Sequence, residues 1–213
     1  LVIKPQMIPF ISYPYEWSFG QLKDAALATL KAHRRAIDSG MILKDASAYN
    51  IQFDKGHAVL IDTLSFDFYE EGQPWVAYGQ FCRHFLAPLM LMAHVDIRLS
   101  QLMRVYIDGI PLDLCAKLLG RKGGFGATQH IRWHARATGR HAEDGKKQGR
   151  AEVAKISKFN YIALVDALTR LVESLQLKGI VTEWGDYYAR TNYTHDASAR
   201  KEQMVRDYLD KVK

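Results

Sequence analysis

Two cysteines in 213 residues, Cys82 and Cys115, are too few and too far apart in sequence for a disulfide framework or a cysteine-based metal site. They fit a reducing cytosol, as two half-buried apolar side chains. No stretch approaches the ~18 consecutive apolar residues of a membrane span. The longest apolar run, Phe85 to Ala93, is interrupted by Pro88. No membrane partner is therefore expected, and the expected location is the cytoplasm. The chain shows no internal repeat, no signal-peptide pattern and no initiator Met. It opens inside an apolar run, Leu1-Val2-Ile3, and closes on an amphipathic helix, Lys201 to Lys213, without a stop signal. The expectation is a piece of a longer protein. Charge of one sign is also lacking outside one segment. Residues 121–150 carry eight Arg and Lys against two acids, which equals the net +6 of the whole chain. The remainder is neutral, which argues against nucleic acid as a general partner.

What is present is helix. Ser18-Phe19-Gly20-Gln21 forms a capping box, and Trp17 and Leu22 sit at the positions of a hydrophobic staple. Apolar residues then recur at Leu22, Ala25, Ala26, Leu30, His33 and Ile37, a helical period. Gly40 supplies the stop. The period changes at Ile51–Phe53 and Ala58–Ile61, two short β-prone runs joined by Asp54-Lys55-Gly56-His57, which predict a hairpin. A loop is predicted over 63–73, then a helix from Pro74 that Pro88 breaks or kinks. Further helices are predicted over 96–106, from Pro111 to Gly120, over 151–177, and from about Asp196. The segment 121–150 reads as a loop, and 182–193 as an aromatic connector. The fold class expected is α+β, mainly α, with one small β-hairpin.

Leu43 to Asp62 reads as a unit, LKDASAYNIQFDKGHAVLID. Asp45 is followed five positions later by Asn50, then a short strand, a turn, and a second strand ending at Asp62. Phosphoryl transfer from ATP needs these three groups. One carboxylate orients or deprotonates the acceptor hydroxyl, and an amide oxygen with a second carboxylate holds Mg²⁺ on the phosphates. Magnesium takes hard oxygen ligands, few of them from protein.

These residues resemble the kinase-like superfamily, in particular its small-molecule branch of aminoglycoside- and choline-type kinases. The resemblance implies a protein-kinase-like C-terminal lobe whose N-lobe is missing. It makes Asp45 the catalytic Asp, Asn50 and Asp62 the metal-binding pair, and Lys44, Asn50 and Asp62 the residues that meet Mg-ATP. A small-molecule hydroxyl is the implied acceptor. Leu43 stands where the family has His, and Thr63-Leu64-Ser65 where many members have Phe-Gly. The N-lobe's Gly-rich loop and Lys have no counterpart before Ser18; Leu1 to Tyr15 looks like the strand and connector between lobes. Gly123-Gly124-Phe125-Gly126 follows a helix and not a strand, so it is no nucleotide turn. The alternative reading, motivated by Leu43, is a non-catalytic module of the same fold.

A second resemblance covers nearly the whole chain. The runs IPFISYPYEWSFGQLKDAALATL, LKDASAYNIQF, LIDTLSF, PWVAYGQFCRHFLAPL, DGIPLDL and TEWGDYYARTNYT are similar to the amino-terminal portion of bacterial proteins described as SAM-dependent methyltransferases, some of them nodulation-related. The resemblance implies a methyltransferase domain downstream, a partner within the same protein. SAM is expected to bind only there, since this chain has no Gly-rich turn after a strand. The organisation expected is 1–17 inter-lobe strand and connector, 18–180 kinase-like lobe with the basic loop, and 181–213 connector and helix.

Other signals carry a plain reading. His130, His134 and His141 lack the Glu and third ligand of a zinc site and read as solvated or phosphate-contacting. Phe125 and Trp133 among the basic residues permit base stacking, but a solvated loop is favoured. His33 and His84, on apolar helix faces, read as core residues with satisfied hydrogen bonds.

Overall fold

Helix α1, Phe19–Asp38, begins where the capping box places it: Gln21 N donates to Ser18 Oγ at 3.3 Å, and Ser18 N to Gln21 Oε1 at 3.0 Å. Its buried face holds Leu22, Ala25, Ala26, Leu30, His33 and Ile37, the stripe predicted from the period. Gly40, at φ +74, turns the chain out of the helix. In the computed structural model the described residues are 4–122, 128–132, 155–177, 179 and 184–212. They form a mainly helical α+β protein that divides into two compact units, Leu1–Leu177 and Lys178–Lys213.

Two antiparallel pairs follow α1, where the sequence predicts one. The hairpin of β2, Ile51–Asp54, and β3, His57–Leu60, lies within one residue of the expected bounds and pairs Ile51 with Leu60 and Asp54 with His57. Lys55 at φ 50 and Gly56 at φ 82 make its two-residue turn, a left-handed pair that matches strand twist. The second pair joins β1, Met41–Leu43, to β4, Phe66–Phe68. The expected loop 63–73 thus contains a strand; three residues are too few for a period of two to show.

Before α1, the connector lies along the hairpin. Ser12 N donates to Gln52 Oε1 and Gln52 Nε2 donates to Ser12 O, both at 3.0 Å, so one amide side chain acts as a rung of sheet. Trp17 meets Phe53 edge-on at 5.2 Å, and its Nε1 donates to Ser12 Oγ.

The helix expected from Pro74 starts later, at Tyr78. Helix α2, Tyr78–Phe81, runs through a π-helical turn, Cys82–Leu86, into α3, Ala87–His94. Every residue from Ala87 to Met92 is buried, so α3 is a core rod with no polar face. Pro88 causes no break because the wide turn absorbs it. Ala87 N reaches back five residues to Cys82 O; Pro88 has no N–H to offer Arg83 O, which accepts from Ile110 N at 3.0 Å instead. That approach needs a glycine next door. A Cβ on Gly109 would lie 2.6 Å from Arg83 Cβ.

Residues 97–101 form a 3₁₀ turn leading to α4, Leu102–Val105. Then comes α5, Leu112–Leu119, which packs on α3 and stops at Gly120. Residues 128–132 are helical; beyond Lys122 the rest of the basic segment, with His134, His141, Phe125 and Trp133, lies outside the described residues. Helix α6, Lys158–Ser174, is capped by Ser157 and packs on α1. Cys82 and Cys115 are fully buried, not half-buried, and burial pushes both thiols up to about 12.

In the second unit, Trp184 and Tyr187 touch at 5.7 Å and α7, His195–Asp210, is capped by Thr194. Lys201 Nζ sits 5.9 Å from the Tyr187 ring and 5.0 Å from that of Tyr193. Among the described residues, no helix is long and apolar enough to cross a membrane.

Candidate active site

Asp45 stands two residues past the end of β1, and the strand is gripped on both backbone groups of Leu43. Leu43 N donates to His33 Nδ1 at 3.0 Å, and Leu43 O accepts from Trp75 Nε1 at 2.7 Å. His33 and Trp75 stack at 4.2 Å, which couples the two grips. Burial pushes the His33 imidazole down to about 3, so it stays neutral and able to accept. Leu43, where the kinase-like pattern has His, is itself fully buried. A histidine from α1 thus holds the strand from outside the motif.

Asp45 Oδ1 accepts from Ser47 N at 2.9 Å and from Gln80 Nε2 at 2.8 Å, while Gln80 Oε1 accepts from Ala46 N at 2.8 Å. Among the described residues Oδ2 has no protein partner. A carboxylate fixed by one oxygen and open at the other is arranged to accept a proton or orient a hydroxyl. Gln80 lies 35 residues beyond Asp45, and no sequence spacing singled it out.

Ser47 caps the short turn Ala48–Asn50, and Ile61 N donates to Asn50 O at 2.9 Å, which closes the open end of the hairpin. That closure brings Asp62 beside Asn50. Asn50 Nδ2 donates to Ser65 Oγ at 3.0 Å, and Ser65 Oγ donates to Asp62 Oδ2 at 2.6 Å. Asp62 Oδ1 accepts from Leu64 N at 2.8 Å. The Ser65 hydroxyl, then the Leu64 amide, hold the Asp62 carboxyl below its usual range; Lys44 adds a smaller pull in the same direction. Lys44 N donates to Ser65 O at 2.7 Å, and its Nζ pairs with Asp67 at 3.4 Å.

Lys44, Asn50 and Asp62 therefore meet around Ser65. Asp45, at the other end of the 45–50 turn, hydrogen-bonds to none of them. Among the described residues no cluster of three His, Cys, Asp or Glu has metal-binding geometry. The Asn50 amide oxygen and the Asp62 carboxylate supply two hard oxygen donors. That set suits magnesium, which keeps waters and phosphate oxygens for its other positions.

Two histidines depart from the expected reading. Among the described residues His33 Nε2 is buried without a hydrogen-bond partner, as are Tyr69 Oη and Tyr161 Oη, whose rings lie in contact with each other and, for Tyr161, with His33. His84, 3% exposed, has neither ring nitrogen hydrogen-bonded among the described residues. It lies one turn beyond Gln80. Burial, then the Arg83 charge, push it down to about 4, against the weaker pull of Asp45 and Asp108. A third, His130, is half-buried and bonded to Tyr78 Oη at 2.5 Å, so it is not a solvated histidine.

The chain is 32% identical over 212 residues to the nodulation protein NoeA of Rhizobium meliloti (strain 1021), a match that takes in 98% of this chain and 44% of that protein. The chain thus spans less than half the length of this relative. No family profile matches the chain, and no solved structure does.

Proposed function

We propose that this chain is the helical lobe of a kinase-like phosphotransferase. The supporting observation is that Asn50 and Asp62 are joined through one hydroxyl while Asp45 is pinned by a single oxygen (Figures in Å: 3.0, 2.6 and 2.8). Asn50 and Asp62 would hold a magnesium ion, which when bound neutralises charge on the nucleotide phosphates. Lys44 lies beside them as a phosphate contact. Asp45 Oδ2 accepts the proton of the acceptor hydroxyl as its oxygen bonds to the terminal phosphorus; the bond from that phosphorus to the bridging oxygen breaks, and ADP leaves. The acceptor class is a small-molecule hydroxyl.

The similarity to the longer nodulation protein NoeA supports a nodulation-related role for the parent, and the sequence resemblance to SAM-dependent methyltransferases extends the proposal: this lobe serves a protein that also transfers methyl groups. The test is Mg-ATP turnover by full-length protein. Asp45→Ala is expected to lower it at least 100-fold, the scale of general-base loss. Turnover unchanged in that variant would remove the reading. Absence of turnover in the wild type would favour a non-catalytic module, for which Leu43 in place of His speaks.

A further inference from the structure

Ser65 lies outside the Asp–Asn–Asp pattern, three residues past Asp62, and is 2% exposed. Its hydroxyl has one proton and stands between an amide and a carboxylate. At 2.6 Å from Asp62 Oδ2 that proton goes to the carboxylate, which has none to give when ionised. The hydroxyl oxygen is then left only as an acceptor toward Asn50. An amide can meet an acceptor only with its NH₂, so Nδ2 faces Ser65 at 3.0 Å and Oδ1 faces away from it. An Asn whose O and N would otherwise exchange by a flip is thereby held in one orientation.

The hydroxyl is not needed for the local turn. The Asp62 cap of residues 63–65 is made by Leu64 N on Asp62 Oδ1, without Ser65 Oγ. The backbone of Ser65 is fixed separately, by Lys44 N on its carbonyl. The hydroxyl therefore serves neither the turn nor the backbone pairing. We infer that Ser65 is a positioning residue of the cation site, fixing the Asn50 amide with its oxygen toward the ion and tying that amide to Asp62. The inference rests on the proposed pairing of Asn50 and Asp62 as cation ligands.

A group that orients a metal ligand through a hydrogen bond is typically worth 10–100-fold in metal affinity. The probe is Mn²⁺, titrated into full-length protein and followed by the electron spin resonance of the free ion. Ser65→Ala is expected to weaken binding about 10–100-fold. The same change in an Asn50→Ala background is expected to cost clearly less than in the wild type, because the part of the effect that runs through that amide is already gone. Losses that add in full would overturn the inference, as would wild-type affinity in Ser65→Ala while Asn50→Ala and Asp62→Ala are weakened. Wild-type affinity in all of these variants, or no Mn²⁺ binding by the wild type, overturns the cation site itself and the inference with it. Melting curves check the fold. If Ser65→Ala fails to melt cooperatively, Ser65→Cys, which keeps nearly the same volume with weaker hydrogen bonding, is expected to show a loss in the same direction, and wild-type affinity in it would overturn the inference.

Discussion

Gln80 grips Asp45 and Ala46 together, donating to the carboxylate and accepting from the next backbone amide, each at 2.8 Å. The grip fixes which oxygen of Asp45 remains open. It also calls for a side chain at position 80 that donates from one atom and accepts at another, as an amide does. Gln80→Glu would set two carboxylates at hydrogen-bond distance, where they share a proton. The acid limb of the pH–rate profile for Mg-ATP turnover is expected to move up by about one unit or more. An unmoved limb would show that Gln80 does not face the working oxygen.

Acid should unfold this protein through two buried histidines. In the unfolded chain each takes a proton near pH 6.5; in the folded chain His84 holds off to about 4 and His33 to about 3. Stability is therefore at its full value above pH 6.5 and is lost as pH falls through the window from 6.5 to 4. The slope is roughly 1 kcal/mol per pH unit for each histidine. Urea titrations at pH 7, 6 and 5 measure it, and His84→Gln is expected to reduce the slope by about half. A flat profile would show that these rings are wetter than their burial implies.

The three unpartnered polar atoms at the α1–α6 contact predict an uneven mutational response. Tyr161→Phe removes a buried hydroxyl that bonds to nothing among the described residues, so stability is expected to hold or rise by up to about 1 kcal/mol. Trp75→Phe, in the same aromatic group, strips the donor from the Leu43 carbonyl and is expected to cost about 2–3 kcal/mol. Denaturant midpoints distinguish the two. Equal losses would contradict the assignment.

Gly109→Ala is expected to cost more than about 2 kcal/mol. The new methyl would stand 2.6 Å from Arg83 Cβ and 2.8 Å from Arg83 C, and the backbone there is at φ +90. Gly56→Ala, at φ +82 but with open space around it, carries the backbone strain alone and should cost less. Thermal melts of the two variants test the ranking.

Local chemistry was legible in the sequence and distant chemistry was not. Ser18 and Gln21 announce the start of α1 because a capping box is complete within four residues. The turn at Lys55-Gly56, and the hairpin bounds to within one residue, follow from adjacent residues in the same way. Strand β4 went unseen because Phe66-Asp67-Phe68 is too short to show alternation, and its partner Met41–Leu43 lies beyond the hairpin. At the site, Asp45, Asn50 and Asp62 stand out by spacing. Gln80 and His33 do not, since each reaches the loop from another helix and only the fold makes them neighbours. Ser65 is the intermediate case: a serine three residues after an Asp is visible, but its bond to Asn50 depends on the hairpin folding back.

Pro88 has a use that outlasts the helix it interrupts. Any other residue there would bring an N–H to the Arg83 carbonyl, the same oxygen that now receives Ile110. Such an N–H would crowd the approach that Ile110 makes to this carbonyl, so a substitution that looks like a repair of the helix is expected to loosen the 106–110 corner.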